Sequence, residues 1–256
     1  MTKPILFTPA TKSYLWGGTA LMEKWGKTSP EATVAECWEL SAYAGCESVA
    51  RGGDLDGLPL GEIVRAHPEL FGSAVRDGFP ILVKLIDAAK DLSVQVHPDD
   101  LYARVHEGDR GKTEMWYIAD AVPGAAIYDG FARDVTREEV EKSIRENTVT
   151  TLLQKVPVTR GDAFLVPAGT VHALLAGVTV IEIQESSNVT YRVYDYDRRD
   201  KDGNPRALHI EKALEVMNLR AREVPQAQIS HDCFYRCHGT QARLLSLLPH
   251  VGDLYR

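Results

Sequence analysis

Residues 161 to 172 read Gly-Asp-Ala-Phe-Leu-Val-Pro-Ala-Gly-Thr-Val-His. Ala163 to Val166 predict a strand that runs into a turn, where Pro167 presets φ, Gly169 can take a positive φ, and His172 opens the next strand. Such a turn aims an imidazole at a fixed place. The plainer alternative for the same spacing is a hairpin with a histidine on its surface.

A second segment gives that imidazole company. In Leu92-Ser-Val-Gln-Val-His97 the apolar residues Leu92, Val94 and Val96 share one face, and Ser93, Gln95 and His97 share the other. Lys112 to Ile118 alternates likewise, with Lys112, Glu114 and Trp116 on one face, so Glu114 can look into the same interior as His97. Taken singly, each could be an ordinary solvent-side residue of a half-exposed strand. Together, two neutral imidazoles, a carboxylate and an amide oxygen form a nitrogen and oxygen donor set suited to Zn²⁺, with Mn, Fe or Co also accommodated. Four protein ligands leave room for water or substrate.

Strand-like segments predominate: 81–86, 92–96, 114–118, 125–128, 163–166 and 178–184. Helices are expected near 60–66, 99–107, 136–146 and 210–218, with Thr136 and Glu139 placed as a capping box. In the strand after His172, Val178, Val180, Glu182 and Gln184 share a face, which brings Glu182 to the mouth of a barrel. The Asp- and Arg-rich stretch from Tyr194 to Gly203 reads as a solvated turn. The remaining histidines, His67, His106, His209, His231, His238 and His250, read as surface or satisfied residues.

With 256 residues, 44% hydrophobic and 25% charged, the chain suits one extended domain or two lobes. The net charge of −7 argues against a nucleic-acid surface. No run approaches the ~18 apolar residues of a membrane-spanning helix, and the start lacks an export signal, so a cytoplasmic protein is expected. Four cysteines then read as free thiols. His231, Cys233, Cys237 and His238 have the wrong spacing for a structural zinc site. Gly26-Lys27-Thr28 and Gly111-Lys112-Thr113 echo a phosphate loop, but each lacks the earlier glycine.

These residues carry a resemblance. Tyr14-Leu15-Trp16-Gly17-Gly18, Ala35-Glu36-Cys37-Trp38-Glu39-Leu40-Ser41, Leu92 through Asp100, Gly111 through Tyr117, Gly161 through His172 and Glu182 through Asp195 resemble the type I mannose-6-phosphate isomerases of the short bacterial form. The likeness runs from about Pro4 to Arg220. The Gly161–His172 spacing also resembles the second signature of the cupin superfamily.

The resemblance implies a mainly β fold, a cupin-type antiparallel β-barrel (jelly roll) with a few short helices. It implies a zinc held by Gln95, His97, Glu114 and His172, the residues selected by alternation. It places the active-site arginine at Arg192, and Ser93 and Lys112 at positions associated with the substrate phosphate. The reaction implied is interconversion of mannose 6-phosphate and fructose 6-phosphate through a cis-enediol. Glu182 is then the candidate base, Arg192 the stabiliser of the enediolate, and Lys112 a mobile point charge for the phosphate.

Two departures stand out. Asn188 follows the paired serines where the family often has Asp, and the tail from His231 to Arg256 does not resemble the family's closing strands, which implies an incomplete second lobe. Residues 1–230 are expected to form the metal-binding core and 231–256 a separate C-terminal segment. The expected partner is a sugar phosphate, with neither nucleic acid nor membrane, and the expected state is a monomer or homodimer. Two rivals use the same donors: an Fe-dependent cupin oxygenase, and a sugar-phosphate-binding cupin without turnover.

Overall fold

Short strands separated by glycine and proline turns pair antiparallel throughout. The structure, a computed structural model, describes residues 4–199, 202–224 and 227–228, with 73, 74, 227 and 228 as backbone alone. The first strands are β1 (Leu6–Thr8), β2 (Ala10–Lys12), β3 (Glu36–Leu40), β4 (Val49–Arg51), β5 (Ile81–Ala88), β6 (Val94–Val96) and β7 (Glu114–Ala121). There follow β8 (Ala126–Phe131), β9 (Leu153–Pro157), β10 (Asp162–Val166), β11 (His172–Leu174), β12 (Val178–Glu185), β13 (Tyr191–Tyr194) and β14 (Ala227–Gln228). The helices are α1 (Ala20–Glu23), α2 (Leu60–Ala66), α3 (Asp100–His106), α4 (Arg137–Arg145) and α5 (Ile210–Val216).

Two large sheets result, a seven-stranded one ordered β14-β10-β7-β12-β5-β3-β2 and a five-stranded one ordered β13-β6-β11-β8-β9. They form a jelly-roll sandwich of the cupin kind. The expected barrel is not closed, because no ladder joins an edge of one sheet to the other among the described residues. Closure would need paired edges, and here β13, β9, β14 and β2 end their sheets.

Between the sheets lies a core of buried residues including Trp16, Ile86, Trp116, Ile118, Ile127, Phe164, Leu174 and Val180. Burial of each such side chain is worth about 1.5–3 kcal/mol, which sets the sheet-to-sheet distance more firmly than any polar contact. A second cluster packs Val94, Val96 and Tyr191 of the small sheet beneath Val140 and Ile144 of α4 and Ala213 and Leu214 of α5. The period-two pattern therefore resolves as expected for 93–97, with Val94 and Val96 covered by helices and Ser93, Gln95 and His97 on the inward face, whereas Leu92, just before β6, packs into the core between the sheets. Helix α4 starts at the expected cap, where Thr136 Oγ accepts from the Glu139 amide at 3.2 Å.

No helix among the described residues is long and apolar enough to cross a membrane. Cys37 is buried, Cys46 is partly exposed, and both are free thiols. The His231, Cys233, Cys237 and His238 group, like His250 and the rest of the tail, lies outside the described residues.

Candidate functional site

The turn after β10 does what its sequence predicts. Gly169 has φ +83°, Thr170 N–H donates to Pro167 O at 3.1 Å, and Gly169 N–H donates to His97 O at 2.8 Å. That last bond ties the turn carrying His172 to the end of the strand carrying His97. In the small sheet His172 pairs directly with Gln95. Glu114 opens β7 in the opposite sheet, so the three elements meet in the gap between sheets.

The imidazoles are held by their far nitrogens. His97 Nδ1 lies 2.8 Å from Val189 O, and His172 Nδ1 lies 2.8 Å from Thr170 O. A carbonyl only accepts, so each Nδ1 carries the proton and each Nε2 presents a lone pair, the arrangement that orients a metal-ligating histidine. His97 Nε2 is 3.2 Å from Glu114 Oε1, and His172 Nε2 is 3.5 Å from Glu114 Oε2. Ligand atoms of His97, Glu114 and His172 all lie within 4.8 Å of one another, and all three residues are buried. Gln95 Nε2 is 3.5 Å from His172 Nε2, and a half-turn of that amide presents its oxygen to the same centre.

Glu114 supplies the test of fit. Both its carboxylate oxygens are buried without a hydrogen bond, although Lys112 Nζ stands 2.6 Å from Oε1. Lys112 supplies one charge at Oε1, but Oε2 faces only the His172 Nε2 lone pair, an acceptor against an acceptor that a metal between them would satisfy. Burial alone would raise its pKa, but the Lys112 charge and then His97 hold it well below the usual carboxylate range. Burial, reinforced by Lys112, pushes His97 down to about 3. The donors are therefore ready for a metal at neutral pH, and the residues fit one.

This has a measurable consequence for metal-stripped protein. Since His97 titrates near 3 when folded and near 6.5 when unfolded, the unfolded chain binds the extra proton first as pH falls. Stability is then full above about pH 6.5 and declines below it, by about 2 kcal/mol from this residue between pH 6.5 and 5. Urea unfolding at pH 7 and pH 5 should show a smaller loss in His97→Gln than in wild type. Parallel losses in the two proteins would remove His97 as the cause.

Next to the donors lies a cavity of about 300 Å³ whose lining includes Ser93, Gln95, Lys112, Trp116, Glu182 and Arg192. Register explains its second half. Glu182 on β12 pairs with Lys84 on β5 and with Trp116 on β7. Lys84 Nζ sits 3.1 Å from Glu182 Oε1 and 4.0 Å from Glu36 Oε2, while Trp116 Nε1 donates to Glu182 Oε2 at 2.9 Å. Burial and then the Glu114 charge push Glu182 upward, against the pull of Lys84. For Lys84 burial acts downward, but Glu36 and Glu182 outweigh it and keep the ammonium charged.

Arg192 on β13 pairs with Gln95 and is fixed from three sides. Its Nε donates to Ser93 Oγ at 3.1 Å and its Nη1 to Ala207 O at 2.9 Å, while its backbone N–H donates to His209 Nδ1 at 3.2 Å. Asn188 also lines the cavity.

The sequence-selected residues Ser93, Gln95, His97, Lys112, Glu114, His172, Glu182 and Arg192 thus come to one region. Lys112 is deeper than a surface point charge, at 4% exposure beside Glu114 and 3.3 Å from His97 Nε2. Alternation missed Glu36, Lys84 and Arg206 of the lining. A lysine inside the apolar run Ile81-Leu-Val-Lys-Leu-Ile86 was the one signal available for Lys84.

The solvated-turn expectation for 194–203 holds for Asp197, Arg199, Asp202 and Gly203, which are exposed, and needs correction at Asp195. Asp195 is buried and pairs with Arg198 and with Arg206 of the cavity lining.

Similarity to known proteins supplies the family. Residues 5–112 match the family model described as phosphomannose isomerase type I, catalytic domain. The chain is 47% identical over 220 residues to the probable mannose-6-phosphate isomerase GmuF of Bacillus subtilis, covering 86% of this chain and 70% of that protein. It is 43% identical over 231 residues to mannose-6-phosphate isomerase ManA of the same organism, covering 90% and 72%. Among solved structures it is similar to the mannose 6-phosphate isomerase from Bacillus subtilis, with a TM-score of 0.82 at 40% identity over 90% of this chain and 71% of that one. A putative mannosephosphate isomerase from Archaeoglobus fulgidus gives a TM-score of 0.70 at 28% identity, covering 86% and 70%. With its jelly roll, its metal-type donor set and relatives of this identity over most of their length, the chain belongs to the type I mannose-6-phosphate isomerase family.

Proposed function

We propose that this enzyme interconverts mannose 6-phosphate and fructose 6-phosphate, holding one Zn²⁺ with Gln95, His97, Glu114 and His172. The observation that carries the proposal is the buried Glu114 carboxylate, unmatched by hydrogen bonds, between two histidines whose tautomers present Nε2 to it. Zinc suits this borderline set, and when bound it supplies a Lewis acid that polarises the substrate's oxygens.

The protein's own groups divide the remaining work. Glu182 takes the proton from carbon 2 of the aldose and returns it to carbon 1, with burial raising its affinity for that proton. Lys84 and Trp116 fix the two carboxylate oxygens so that one geometry serves both steps. Arg192, permanently charged and anchored through Ser93 and Ala207, stabilises the enediolate as charge develops. Lys112, expected as a phosphate ligand, stands beside Glu114, and its position favours a role at the reacting end.

Four cations in the cavity lining, Lys84, Lys112, Arg192 and Arg206, suit an anionic sugar and give an oxygenase nothing to use. The supported carboxylate of Glu182 argues for turnover over silent binding. A coupled assay for fructose 6-phosphate formed from mannose 6-phosphate by zinc-loaded protein tests the proposal. Conversion with a kcat in the usual enzyme range of about 1–10³ s⁻¹ is expected. Binding of the sugar phosphate without conversion would favour the non-catalytic cupin.

A further inference from the structure

The charges around the cavity are unevenly matched. Lys84 faces Glu182 and Glu36, and Lys112 faces Glu114, so each interior cation has its carboxylate. At the other end Arg198 and Arg206 share the single carboxylate of Asp195. Arg192, whose guanidinium the neighbouring Arg206 perturbs, forms no ion pair among the described residues. With Arg192 given to the reacting end, the rim itself carries two guanidiniums, Arg198 and Arg206, against one paired carboxylate. A phosphate monoester, with a charge of about −1.5 to −2 at neutral pH, suits that excess of positive charge.

Arg206 is built to meet such a group. Its Nε donates to Asp195 Oδ2 at 2.7 Å and its Nη2 donates to Asp195 Oδ1, a bidentate grip that leaves Nη1 outside it. Asp195 is itself braced: Arg198 donates to its carboxylate and to its carbonyl, and to Asp91 O behind it. Arg206 thus lines the cavity in a fixed pose while its side chain stays 26% exposed, unlike Lys84 and Lys112 at 4%. A preorganised guanidinium near solvent suits a group that enters charged and leaves charged. The metal-type donors gather with His97, at the end of the 92–97 segment, whereas Asp195 follows β13 and is tied through Arg198 to Asp91, before that segment begins, and carbon 6 lies at the far end of the open-chain sugar from carbons 1 and 2.

We propose that Arg206 is the residue that grips the phosphate of the sugar phosphate, with Asp195 as its positioning residue, an assignment that rests on the isomerase reading above. Three measurements on the metal-loaded enzyme test it: KM for mannose 6-phosphate, Ki of inorganic phosphate, and the preference for mannose 6-phosphate over mannose. In Arg206→Ala, KM and Ki should rise together by about 10- to 100-fold, the usual scale for one lost charge-assisted bond, and the preference should shrink by the same factor. Arg206→Lys should recover part of it, keeping the charge but losing the fork. Asp195→Asn should raise Ki in the same direction although Arg206 is still present, a shift that a purely structural role would not single out.

Unchanged Ki and unchanged preference in Arg206→Ala would overturn the assignment. Should wild type fail to convert mannose 6-phosphate, the isomerase reading falls by itself. Calorimetric titration of wild type and Arg206→Ala with inorganic phosphate still decides the grip, equal affinities counting against it. Arg206→Gln serves for the same comparisons if the alanine variant fails to fold.

Discussion

Arg192→Ala is expected to keep wild-type metal content and circular dichroism while kcat falls on the order of 10²-fold or more, the scale for deleting one preorganised electrostatic partner. The structure explains why the loss should fall on turnover. Arg192 is not a metal ligand, and its guanidinium is already anchored by Ser93 Oγ and Ala207 O, so no reorganisation is needed when charge appears on the substrate. Burial, with Arg206 adding to it, lowers its pKa from that of a free arginine, which marks a site where desolvation strengthens every electrostatic contact. Arg192→Lys should recover activity only in part, since an ammonium cannot reproduce the planar fork. Near-normal kcat in the alanine variant would return Arg192 to a structural role between β6 and α5.

Larger still is the effect expected at the donors. Glu114→Ala and His172→Ala should each lose most of the bound metal and bring isomerase activity to background, because one of few ligands is gone. The stability of metal-free Glu114→Ala should fall as well. Removing the carboxylate strands the buried Lys112 ammonium beside His97 without its counter-charge. Elemental analysis of purified variants decides the matter. Full metal in both would mean that the site lies elsewhere.

The donor set was legible in the sequence because it depends on period two. Ser93, Gln95 and His97 must share a face if Val94 and Val96 share the other, and Glu114 follows the same rule on its own strand. The turn before His172 was legible because Pro167 and Gly169 restrict backbone geometry locally. Nothing local marks Glu36 as the neighbour of Lys84, since β3 reaches β5 only through sheet order.

The buried end of the rim was hidden for a related reason. Tyr194 to Gly203 has the composition of a solvated turn, and only the return of Arg206 to Asp195 shows that the Asp195 charge closes on arginines while Asp197 and Arg199 stay exposed. Strands of three residues, such as β1, β2 and β4, carry too few alternations to be read.

The central claim is that one metal, held between the two sheets, is inseparable from isomerisation, and reconstitution tests it most directly. Protein stripped by a chelator and dialysed is titrated with zinc, while fructose 6-phosphate formed from mannose 6-phosphate is followed at each addition. Activity should start at background, rise in proportion to added zinc and stop rising at about one ion per chain. Full activity in the stripped protein, or activity indifferent to the metal returned, would contradict the account.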